Sequence, residues 1–105
     1  MDAAEALSRY REIRKTTQRM LEAARAGEWD RLVELEAARR DLVGAVTAES
    51  VSFGPLAAEK DALIQAVLET DREITALTRA WMDEMSEVLA SVHAQRRLER
   101  AYHGG

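Results

Sequence analysis

The sequence contains no cysteine, which excludes disulfide frameworks, thiol nucleophiles and cysteine-based zinc sites together. Proline occurs once and aromatic residues make up only 5% of the 105 residues. Few turn-forming breaks and few large β-formers argue against a sheet protein. No run approaches the roughly 18 apolar residues of a membrane span. The first residues, Met1-Asp2-Ala3-Ala4-Glu5, are not a basic stretch followed by an apolar core, so a cytoplasmic (cytosolic) protein without membrane insertion is expected. A basic excess is also lacking: 15 Lys and Arg stand against 19 Asp and Glu, a net charge of -4. Nucleic acid is therefore not expected as a direct partner.

What is present is the material of packed helices. Hydrophobic residues reach 47% and charged residues 32%, dominated by Ala, Leu, Glu and Arg, and the length suits a single helical domain over residues 1–105. Leu7, Tyr10, Ile13, Thr17, Met20, Leu21 and Ala24 recur at helical spacing and predict a first helix over about residues 2–25. Arg25-Ala26-Gly27 ends it, with a cation in the last turn and a glycine able to take the left-handed cap conformation.

A second helix, about residues 28–47, follows at once. Glu28 and Asp30 put negative charge at its positive end, Leu32, Leu35, Leu42 and Val46 form its stripe, and Trp29, Val33 and Val43 widen that stripe. So short a connection makes an antiparallel αα-hairpin, with Trp29 packed at its tip. The pattern fails over residues 48–56, where Gly54-Pro55 breaks any helix, and Phe53 is expected to close the end of the core there.

A third helix is predicted over about residues 57–92, with Leu63, Val67, Ile74, Leu77, Trp81, Met85, Val88 and Val92 on one stripe and Ile64, Leu68, Met82 and Leu89 beside it. A weak break at Ser91 to Ala94 sets off a short C-terminal segment, about residues 95–102, before His103-Gly104-Gly105 frays. The fold class is all-α: an antiparallel three-helix bundle, the hairpin plus one long helix, with a short C-terminal helical segment. At 1.5 Å per residue the third helix draws level with the Gly27 turn near Arg79 to Trp81. The apolar residues past that level then need a cover: the C-terminal segment, a second copy or a client protein.

Catalytic chemistry has no foothold in the pattern. There is no phosphate-binding glycine loop, no nucleophile elbow and no pair of metal-binding histidines one helical turn apart. Ala90 and Arg100 stand three residues before His93 and His103, where a di-iron bundle has Glu. Ala94-Gln95-Arg96-Arg97 after His93 lacks the Lys-Gly of a phosphotransfer histidine. No enzyme activity, cofactor or metal is expected. Asp83, Glu84 and Glu87 read as a solvated face, and Arg96, Arg97 and Arg100 as a basic cluster near a helix end. Met20, Met82 and Met85 lie on apolar stripes, and methionine repacks readily around different partners. Core filling is their default role, and a groove for an amphipathic helix is the other.

Two stretches together resemble the FliT family of flagellar export chaperones. Met20-Leu21-Glu22-Ala23-Ala24, Gly27-Glu28-Trp29-Asp30, then Leu32 and Leu35-Glu36, is similar to that family's first helical junction. Leu68, Asp71, Met82-Asp83-Glu84-Met85 and Ala101-Tyr102 follow its order further on. The resemblance implies a cytoplasmic chaperone that binds and shields the C-terminal region of the filament-cap protein (FliD) and passes it to the export gate and ATPase complex. Some members also bind the flagellar master transcription regulator. It further implies client contact along the third helix, at Ile64, Val67, Leu68, Asp71, Ile74 and Thr75, and the adaptable Met82 and Met85 extend that candidate surface. The alternative is a homo-oligomeric helical scaffold or interaction protein with no export role.

Overall fold

In the computed structural model, which describes residues 1–103, Asp2 begins the first helix, α1 (Ala3–Ala26), by accepting a 2.8 Å hydrogen bond from the Glu5 amide. That satisfies one of the amides that every helix start leaves without a partner. Gly27 ends α1 with φ 70°. Its amide donates to the Ala24 carbonyl and the Glu28 amide to the Ala23 carbonyl, the paired bonds of a Schellman stop. The second helix, α2 (Trp29–Thr47), starts two residues later and packs on α1. A 3₁₀ turn, Gly54–Leu56, then leads into α3 (Ala57–His103).

The chain forms two compact units, Met1–Thr75 and the stretch from Ala76 onward. In the first, α1 supplies most of the core: Ala6, Leu7, Ile13, Thr17, Met20, Leu21, Ala23 and Ala24 are buried, joined by Leu32 and Val46 of α2 and Ile74 of α3. Arg11 pairs with Glu59, and Arg25 with Glu73 at 3.2 Å. Both pairs are 48 positions apart, so α1 and the first part of α3 run parallel in constant register, each antiparallel to α2. That register brings Gly27 level with Thr75, earlier than the Arg79 to Trp81 level expected from helix lengths. Ala57 stands level with Arg9, several residues above the start of α1, so α3 needs fewer residues to reach the Gly27 turn than a helix starting at the bottom of the hairpin.

Phe53 closes the end of this core as expected. Its ring meets Tyr10 edge-on at 5.9 Å, and the Lys60 ammonium lies 4.9 Å from its centroid. Two readings of the helices need correction. Val33, expected on the widened stripe of α2, is 65% exposed, because one residue past Leu32 is about 100° around the helix. Nor does a break at Ser91 to Ala94 separate a segment 95–102: α3 continues to His103. Without Gly or Pro there, Ala94, Gln95, Arg96, Arg97 and Leu98 are all good helix formers. The fraying expected at Gly104 and Gly105 lies outside the described residues.

The second unit is a length of α3 in which every residue from Met82 to His103 is exposed. Among the described residues no helix is long and apolar enough to cross a membrane.

Candidate functional site

An apolar groove of about 280 Å³ opens on the first unit, lined by Tyr10 and Ile13 of α1, Val43, Val46 and Thr47 of α2, and Ile64, Val67 and Leu68 of α3. It exists because the apolar positions on α2 and α3 do not fully meet. Val43 at 39% and Leu68 at 45% exposure form its mouth, while Ile13 and Val46 are buried at its floor. Water in such a groove has few polar partners, so an apolar side chain displaces it favourably.

One turn further along all three helices the lining becomes polar. Thr17 follows Ile13 by four residues, Arg39 precedes Val43 by four and Asp71 follows Leu68 by three. The Thr17 hydroxyl donates to the Ile13 carbonyl at 2.8 Å and accepts from Arg39 Nη1 at 3.2 Å, and the same Nη1 donates to Asp71 Oδ1 at 2.6 Å. This triad ties the helices together, and the half-buried charges of Arg39 and Asp71 are compensated by each other. At the opposite end stand Tyr10 and Phe53.

The candidate residues therefore part company. Ile64, Val67 and Leu68 share the groove. Asp71 is held in its ion pair with Arg39, Ile74 is core at 7% exposure, and Thr75 is exposed beside it. Met82 and Met85 belong to the second unit and are exposed. Met20, read as a stripe methionine, is buried at 3%. Arg39 was missed by sequence reasoning, although a signal existed: Leu32, Leu35, Arg39, Leu42 and Val46 step by three and four, so Arg39 occupies a place in the apolar stripe. Thr17 and Asp71 are likewise polar residues on inward rows.

The profile of the family described as Flagellar protein FliT matches residues 7–104. The chain belongs to the FliT family. Among curated relatives, the Flagellar protein FliT of Yersinia pseudotuberculosis serotype O:3 is 30% identical over 99 residues, covering 91% of this chain and 82% of the relative. Those of Photorhabdus laumondii and Serratia proteamaculans are each 27% identical over 99 residues, again 91% of this chain, and 79% and 81% of the relatives. No solved structure matches the chain significantly.

Proposed function

We propose that this chain is a cytosolic export chaperone of the flagellum that binds and shields the C-terminal region of the filament-cap protein and delivers it to the export gate and ATPase complex. Family membership supports the flagellar role. The observation that carries the binding is the groove, whose apolar lining and open mouth suit side chains from one face of a client helix. Binding by exchange of apolar surface is reversible, as delivery requires: the client's apolar residues leave water in the groove and leave the groove again at the export gate.

The test is titration of the full chain with a peptide from the C-terminal region of the filament-cap protein, followed by calorimetry. Leu68→Asp, at the exposed mouth of the groove, should weaken binding by about 10- to 100-fold, since burial of one large aliphatic side chain contributes about 1.5–3 kcal/mol. Ile64→Asp should do the same, with helicity by circular dichroism confirming that each variant is folded. A peptide that fails to bind, or binds both variants as tightly as the parent, would overturn the reading.

A further inference from the structure

The exposed second unit carries one row of side chains whose chemistry changes along its length. Met82, Met85, Leu89 and Val92 follow one another by three and four residues, and the same row continues through Arg96, Arg100 and His103, with His93 and Arg97 flanking it on one side. The four apolar members are 57%, 38%, 57% and 37% exposed, and His93, Arg96, Arg97 and Arg100 share one surface depression. Asp83, Glu84 and Glu87 turn away from the row, and Glu99 flanks its basic end on the side opposite His93 and Arg97, one carboxylate against three arginines.

Helix-end electrostatics do not account for this charge. The stabilisation of a cation by a helix C-terminus fades beyond the last turn, which reaches back from His103 to Arg100 and leaves Arg96 and Arg97 outside. Among the described residues, none of the three arginines forms an ion pair, whereas Arg11, Arg25 and Arg39 each do. A partner for this face must present apolar side chains to one part of the row and carboxylates to the next. A second copy brings one carboxylate beside this row, Glu99, against three arginines, so two copies meeting on this face leave positive charge in excess.

We infer that the face formed by Met82, Met85, Leu89, Val92, Arg96 and Arg100 is a docking surface for an acidic amphipathic helix of another protein. The site is separate from the groove and does not depend on the role assigned to it. The incoming helix sets its apolar stripe on the methionines and Leu89, and its carboxylates form charge-assisted pairs with Arg96 and Arg100.

The probe is a synthetic helical peptide of roughly 18 residues, matching the span from Met82 to Arg100 at 1.5 Å per residue. It carries Leu along one stripe and Glu beside its N-terminal or C-terminal half in separate versions, with a fluorescent label for anisotropy against the full chain. Binding of an acidic version is expected, weakened about tenfold or more by Arg96→Glu with Arg97→Glu and by raised salt, and weakened likewise by Leu89→Asp. Leu68→Asp in the groove should leave it unchanged, so failure here and failure of the groove reading are told apart. The inference is overturned if a lysine version binds equally well, if the arginine reversal has no effect, if anionic vesicles or duplex DNA bind more tightly than the acidic peptide, or if Leu89→Asp only dissociates a dimer of the chain.

Discussion

The two parts of α3, before and after Thr75, are built alike and are used differently. Both are continuous helix with apolar residues at steps of three and four. In the first part Ile74 is buried, and Leu63, Ile64 and Val67 are half-buried against α1 and α2; from Met82 to His103 every residue is exposed. Periodicity thus marks a face that is able to pack, and the partner that packs on it is a separate matter. The methionines repeat the lesson: Met20 is a core residue at 3% exposure, and Met82 is open at 57%.

The largest expected effect tests this contrast directly. Ile74→Ala should destabilise the fold by about 2–5 kcal/mol, through lost burial and the cavity left behind. Leu89→Ala should stay within about 0.5 kcal/mol, as exposed positions do. Urea unfolding of both variants measures the difference, and equal losses would break the comparison.

A smaller effect concerns polar groups on the same helix. Asp71→Asn removes the carboxylate facing Arg39 and should cost about 1–2 kcal/mol, a charged hydrogen bond discounted because Asp71 is a third open to solvent. Glu84→Gln, on the exposed stretch, should leave the unfolding midpoint in place. A loss at Glu84 matching that at Asp71 would show that the exposed stretch has polar partners of equal weight.

The smallest effect is one of pH. The Met1 ammonium donates a 2.8 Å hydrogen bond to Glu49, and that bond, with the attraction of the carboxylate, raises the amine above its ordinary 8.0 and lowers Glu49 below its ordinary 4.5. The amine's contribution is complete below pH 8.0 and lost as pH rises through its raised value. Glu49's contribution is complete above pH 4.5 and lost as pH falls through its lowered value. Thermal melts should show a slight decline at each edge, and N-terminal acetylation should abolish the alkaline one.

Much of the first unit was legible beforehand. The Arg25-Ala26-Gly27 stop, the immediate start of α2 and the Gly54-Pro55 break all rest on local backbone chemistry, and they fall within a residue or two of the observed ends. The candidate site was legible in part. Ile64, Val67 and Leu68 do share a groove, but Ile74 and Asp71 lie on the same face and are occupied by core packing and by Arg39. Spacing along one helix does not reveal what stands opposite. Near Ser91 the helix propensity of the surrounding residues outweighs a weak polar interruption, so α3 runs on to His103.

Local chemistry therefore specified that this chain is helical, where its hairpin turns, and which face of each helix is apolar, because capping, glycine conformation and periodicity act within a few residues. Three-dimensional packing alone established the 48-residue register of α1 with α3, the Thr17, Arg39 and Asp71 triad, and the opening of the groove. Each of these depends on which surfaces meet, and residues far apart in the chain settle that by the volume and charge they bring together.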